Sequence, residues 1–78
     1  MRRQVILFGK SGCHLCEEAK AMLLRLQREH AFELREVDIL SDPALETLYR
    51  YDIPVVVIDD NFQLSAPLHE RELRAALG

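Results

Sequence analysis

Val5-Ile6-Leu7-Phe8, stopped at Gly9, is the feature that most restricts what this chain can fold into. Four consecutive apolar residues without polar alternation suit a strand covered on both faces, which places this segment at the centre of a sheet. The run is too short for a membrane span or for the hydrophobic region of a signal peptide, although Met1-Arg2-Arg3 supplies the charged start such a peptide would have. The chain is therefore expected to stay where it is made. With 78 residues, 49% of them hydrophobic, it has room for one domain, residues 1–78, and one modest core.

The remaining pattern supplies the layers that a covered strand needs. From Leu15 onward, Leu15, Ala19, Met22, Leu23, Leu26 and His30 fall on one helical face, with Glu17, Glu18, Lys20, Gln27 and Arg28 opposite. Phe32 to Ile39 reads as a charged, partly alternating strand whose polarity suits a sheet edge. Ser41, Asp42 and Pro43 then give a helix start, with Leu45, Leu48 and Tyr49 on the buried side and an end before Pro54. Val55-Val56-Val57-Ile58, the turn Asp59-Asp60-Asn61 and Phe62-Gln63-Leu64 predict an antiparallel hairpin. Pro67 is read as opening a terminal helix that turns Leu73, Ala76 and Leu77 inward. The order is βαβαββα, without repeat or linker. The first βαβ unit gives parallel strands through a right-handed crossover, and three helices can cover both faces.

Chemistry concentrates in Cys13-His14-Leu15-Cys16, two thiols one helical turn apart at the start of the first helix. A disulfide across so short a ring closes almost no loop in the unfolded chain, so this spacing suits a redox relay better than a structural staple. Only a thiolate attacks a disulfide, and a free cysteine, with a pKa of about 8.5, is mostly protonated at neutral pH. A helix N-terminus favours the anion at Cys13, and Lys10 and His14 stand close by in sequence. Cys16, one turn in beside Leu15 and Ala19, is expected to be more buried and to remain a thiol until needed. His14 has an equal alternative as a solvent-exposed helix residue, and Glu17 and Glu18 read as first-turn helix stabilisers.

The net charge is −3 with both signs interspersed along the chain, so nothing points to nucleic acid. Two cysteines in a small domain without a secretory signal read as catalytic or metal-binding, which places the chain in the reducing cytoplasm. A zinc site would need two further ligands, and His30 and His69 fall on separate predicted helices. No metal is expected. A second rival is a non-catalytic binding or adaptor module that has kept its cysteines.

The CxxC after the first buried strand, the helix that follows it, and Ile53-Pro54 before a valine-rich strand resemble a glutaredoxin-like member of the thioredoxin superfamily. Lys10, Ser11, Gly12, Cys13-His14-Leu15-Cys16 and Ile53-Pro54 carry that resemblance, which extends over the whole chain. It implies an α/β thioredoxin fold of glutaredoxin type, a four-stranded mixed sheet of order 2-1-3-4 with helices on both faces. It further implies Cys13 as the attacking thiol, Cys16 as the resolving thiol, and a cis bond at Ile53-Pro54. Lys10, Gly12, His14, Ile53 and Pro54 become substrate- or glutathione-contacting positions on the same footing.

The resemblance makes a protein disulfide the expected substrate, glutathione or a thioredoxin-reductase-type protein the electron donor, and the Cys13-Cys16 disulfide the only redox group. No organic cofactor, nucleic acid or membrane is expected, and the chain is expected to be a monomer. Three departures weigh against glutathione. Leu15 stands at an aromatic position, Asp52-Ile53-Pro54 replaces Thr-Val-Pro, and Leu64-Ser65-Ala66-Pro67-Leu68 replaces a Gly-Gly segment with a polar pair. Side chains at Ser65 and Ala66, and the missing N–H of Pro67, weaken the place where a glutathione carboxylate would be held.

Overall fold

A computed structural model describes residues 2–78; Met1, the first residue of the charged start considered above, lies outside them. The elements are β1 (Arg3–Gly9), α1 (His14–Leu26), β2 (Phe32–Asp38), a 3₁₀ turn (Ile39–Ser41), α2 (Pro43–Tyr49), β3 (Val55–Ile58), β4 (Phe62–Ser65) and α3 (Glu70–Leu77). The sheet order is β2-β1-β3-β4, with β1 and β2 parallel and the other pairs antiparallel. Gly9 pairs with Asp38, Phe8 with Val55, and Val55 with Ser65, so these residues mark one end of the sheet. The connections carrying the cysteines and Pro54 leave from that end.

Alternation along the strands assigns the faces. Val5 and Leu7 of β1, Phe32 and Leu34 of β2, and Val56 and Ile58 of β3 share one core with Ala19, Leu23 and Leu26 of α1 and Leu73 and Leu77 of α3. Leu23, Leu26 and Leu73 are completely buried, and each contributes about 1.5–3 kcal/mol by leaving water. Residues of opposite parity point to α2, where the Phe8 and Tyr49 rings lie 4.7 Å apart. This second face is covered more thinly. α2 has seven residues, none of them buried, and Ile6 and Phe8 are only half-buried.

The fold departs from the sequence reading in five places. Leu15, expected on the buried face of α1, is 55% exposed, because in the first turn of the helix it borders the cleft with Pro54 and Pro67 and does not reach the core. Ile39 leaves the strand for the 3₁₀ turn, because the Asp38 carboxylate caps the Leu40 N–H at 2.8 Å and bends the chain there. Leu48 is 63% exposed, since so short a helix can turn only Leu45 and Tyr49 toward the sheet. His30 lies beyond α1, in the turns after Leu26. Pro67 does not open the last helix, which starts three residues later at Glu70 with His69 as its N-cap. The physical reason is the tether on the intervening segment. The Ala66 N–H donates to the Asp52 carbonyl at 3.2 Å and Leu68 packs against the core, while the Ala66-Pro67 bond is cis.

Opposite the cysteines, the β3–β4 connection is a tight turn in which Asp59 and Asp60 have φ of 52° and 64° and the Asn61 N–H returns to the Ile58 carbonyl. Two positive φ values in succession give the turn whose twist matches a two-stranded ribbon. Aspartate tolerates this region better than most residues. The Asp59 carboxylate also accepts the Gln4 N–H at 2.9 Å, which ties the turn to β1.

Candidate active site

The local sequence assembles the site in a few steps. β1 ends at Gly9, Lys10 to Gly12 form a turn, and Cys13 caps α1. Gly12 has φ of +76°, the left-handed region where a Cβ is strained, and this reversal lets the chain enter the helix at Cys13. Cys13 is extended (φ −94°, ψ 108°), and its Sγ accepts the Cys16 N–H at 3.2 Å, as a serine or aspartate oxygen does at other helix starts. The two cysteines are joined as a disulfide with Cα atoms 5.2 Å apart. Cys13 is half-buried, whereas Cys16 is only 7% exposed.

Gly9 makes the burial of Cys16 possible. A Cβ added at Gly9 would stand 3.0 Å from both Cβ and Sγ of Cys16, tighter than ordinary packing. In the sequence this glycine reads only as the end of an apolar run. A glycine closing a strand four residues before a CxxC is the signal that could have marked it as a seat for the second thiol.

The other expected site residues fall on two sides of the start of α1. Lys10, Gly12 and Cys16 line a groove of about 670 Å³ on the side toward β2, together with Glu17, Lys20 and Glu36. Lys10 is exposed and makes no ion pair among the described residues, while Lys20 is paired with Glu36 at 3.1 Å. On the other side Leu15, Glu18 and Met22 of α1 meet Pro54, Ala66, Pro67 and Leu68 in a smaller cleft of about 80 Å³. Lys10 and Pro54 therefore do not share a cavity. His14 is exposed and turned along the helix, its Nε2 2.6 Å from Glu18 Oε2. Ile53-Pro54 is cis and Pro54 is buried, and the Ile53 N–H donates to the Tyr49 carbonyl at 3.1 Å.

The last helix begins far from the cysteines. Glu70, its first residue, is held by Arg25 at 2.7 Å, and Arg25 lies about three helical turns along α1 from Cys13. No helix N-terminus follows directly on Ser65, and between β4 and α3 the N–H of Ala66 is already donated while Pro67 has none. The sequence reading puts the lost donors at a helix start beside the cysteines; that helix start is elsewhere. Among the described residues, no group of three or more histidine, cysteine, aspartate or glutamate side chains is placed to hold a metal ion.

With this geometry established, residues 4–78 match the family described as Glutaredoxin-like domain (DUF836). The chain belongs to this glutaredoxin-like family. The solution NMR structure of protein Ne2328 from Nitrosomonas europaea is 32% identical, with a TM-score of 0.84 over 100% of this chain and 94% of that one. An X-ray structure of an X. campestris structural-genomics target is also 32% identical, with a TM-score of 0.81 over 94% of this chain and 93% of that one. A mutant thioredoxin from Halobacterium salinarum NRC-1 superposes with a TM-score of 0.77 over 96% of this chain and 71% of that one; at 16% identity it shows the shared thioredoxin fold alone. No protein in the curated set matches the sequence. Glutaredoxin-like membership, the thioredoxin fold and a CxxC pair at disulfide distance are together consistent with redox activity.

Proposed function

We propose that this glutaredoxin-like protein is a dithiol oxidoreductase in which Cys13 attacks and Cys16 resolves. One observation carries the reading: Cys13 is at once the N-cap of a 13-residue helix, its Sγ accepting the Cys16 N–H, and the more exposed partner of the disulfide. A thiolate at that sulfur keeps the N–H bond and gains the favourable field of the helix start. Cys16, packed against Gly9 on the buried side of α1, is more shielded from water, which disfavours a thiolate there.

In the reductive direction the Cys13 thiolate attacks one sulfur of a substrate disulfide, forming a mixed disulfide and expelling the other substrate sulfur as a thiolate. Cys16 then loses its proton and attacks Cys13 Sγ. The second substrate thiolate leaves, the Cys13-Cys16 disulfide forms, and two electrons have passed to the substrate. A thiol or dithiol donor restores the reduced pair. Pro54 and Leu15 border the face on which the substrate approaches. Strand addition at Ile53 rests on its carbonyl, because its N–H is committed to Tyr49.

A protein disulfide suits this site better than glutathione. Anchoring of a glutathione carboxylate just after β4 would rest on Leu68 and His69 alone, because the Ala66 N–H is committed to Asp52 and Pro67 has none. Lys10 remains as a cation on the opposite groove. Electrons are then expected from a thioredoxin-reductase-type donor in preference to glutathione, with the protein acting in the cytoplasm.

The test is alkylation of the reduced protein followed by turnover. Cys13 should react first at neutral pH, Cys13→Ser should abolish disulfide reduction, and Cys16→Ser should stall as a mixed disulfide visible by mass. Earlier alkylation of Cys16, or full activity in Cys13→Ser, would exclude the assignment.

A further inference from the structure

Charges of both signs, interspersed along the sequence, are distributed unevenly by the fold. The half of the molecule around the cysteines comprises residues 7–20, 36–56 and 64–68, by strand register and by the connections leaving that end of the sheet. It carries seven of the thirteen acidic residues and three of the ten basic ones, a net charge of −4. The opposite half carries +1. Of the three cations near the cysteines, Lys20 is already neutralised by Glu36. Glu17 and Glu18 flank the cysteines on two sides, one lining the groove and one the cleft, and both are exposed. Asp52 is exposed at the Pro54 loop, with its backbone carbonyl fixed against Ala66 at the cleft wall.

The same end presents apolar surface. Leu15 is 55% exposed between the two cysteines, and the cleft beside it is walled by Met22, Pro54, Pro67 and Leu68. An apolar hollow lined by Leu15, two residues along from Cys13, with Glu18 at its border and Asp52 exposed on the adjoining loop, is complementary to a polypeptide with an apolar side chain and cationic neighbours. It is a poor match for an anionic tripeptide.

We propose that the disulfide partner is a basic polypeptide segment whose cysteine is flanked by an apolar residue, seated in the cleft beside Leu15, and by lysine or arginine facing Glu17, Glu18 and Asp52. The proposal rests on the dithiol reading above and names the substrate class of that site. The exchange step is unchanged: the Cys13–substrate sulfur bond forms as the substrate disulfide breaks, and Cys16 then takes the place of the substrate sulfur. The acidic field raises the encounter rate with cations and lowers it with anions, an effect that salt screens.

The test uses the reduced protein in single turnover with neutral 2-pyridyl mixed disulfides of three peptides, Leu-Cys-Lys-Lys, Leu-Cys-Gln-Gln and Leu-Cys-Glu-Glu, blocked at both ends. Each rate is divided by the rate with 2-mercaptoethanol thiolate, which removes the intrinsic reactivity of the disulfide. The lysine peptide should react about tenfold faster than the glutamate peptide at low ionic strength, with the glutamine peptide between them. The ratio should shrink severalfold at about 0.5 M salt. It should also fall in the double variant Glu17→Gln, Asp52→Asn. Equal normalised rates, or a faster glutamate peptide, would overturn the basic-partner proposal while leaving the dithiol reading intact. Failure of all three peptides to react would overturn both.

Discussion

The two ends of the sheet use charge in opposite ways. At the end away from the cysteines, ion pairs join elements distant in sequence: Arg25 to Glu70 at 2.7 Å, Arg74 to Glu29 at 2.9 Å, and Arg3 to Asp59 at 3.7 Å. At the cysteine end the pairs are Lys20 with Glu36 and His14 with Glu18, and among the described residues Glu17, Glu46 and Asp52 have no cationic partner. Among the described residues, half of the far end's acids, Glu29, Asp59 and Glu70, are held by its own arginines, whereas most of those at the cysteine end face solvent. The lesson is about division of labour. Surface pairs between exposed side chains are worth at most about 1 kcal/mol each, so the far end gains orientation more than stability from them. The cysteine end keeps an acidic field that its own cations leave largely unbalanced.

The largest effect is expected where the cysteine end relies on close packing in place of ion pairs. Gly9→Ala places a methyl 3.0 Å from Cβ and Sγ of Cys16, against a buried residue that cannot swing into solvent. The expected cost is about 1–3 kcal/mol, read as a lower urea midpoint with an unchanged slope. The variant should also alkylate at Cys16 more readily when reduced, since relief requires that side chain to be displaced from its seat. An unchanged midpoint would mean that α1 shifts to make room without penalty.

A smaller effect is expected three residues on, for a different reason. A Cβ added at Gly12 would meet nothing within 4 Å, yet the φ there is +76°. Gly12→Ala should therefore cost about 1–2 kcal/mol through backbone strain alone. Gly12→Asn should recover part of that loss, because asparagine tolerates the left-handed region. If the asparagine variant is no better than the alanine one, the strain argument fails and the turn adapts by another route.

The central and edge places of β1 and β2 were legible from pattern, while the full strand order came only with the family resemblance. Val5 to Phe8 is the central strand because nothing polar interrupts it, and β2 is an edge because Glu33, Arg35, Glu36 and Asp38 can stay solvated there. The start of α2 was equally readable, since Asp42 caps it through the Ala44 N–H at 2.9 Å and Pro43 follows. What escaped the sequence was set by long-range contact. Pro67 looks like a helix opener locally, but the bond from Ala66 to Asp52 holds the segment out of helix until Glu70. The cysteines announced themselves by spacing, whereas Gly9 and the separation of Lys10 from Pro54 depend on how α1 sits against β1. Charge sorting is of the same kind: Lys10, Glu17 and Lys20 look balanced in the chain, and only the register with β2 brings Glu36 and Asp38 to join them.

The smallest expected effect belongs to the far end and decides whether its ion pairs stabilise at all. Hydrogen bonding to Arg25, with further attraction from Arg25 and Arg74, holds the Glu70 carboxyl below its ordinary value despite some desolvation. Above the glutamate pKa of the unfolded chain, about 4.3, the carboxylate is ionised in both states and its contribution to stability is fully present. As the pH falls below that value the unfolded chain takes up a proton before the folded one does, and the contribution fades through the folded pKa. Comparison of the original protein with Glu70→Gln should show a urea-midpoint difference that is flat from about pH 7 to about 6 and narrows below about 4.3. Because these side chains are exposed, added salt should shrink the difference at every pH. A difference that stays constant down to about pH 3 would show that Glu70 acts through helix packing and not through its charge, and the contrast between the two ends would then lose its electrostatic basis at the far one.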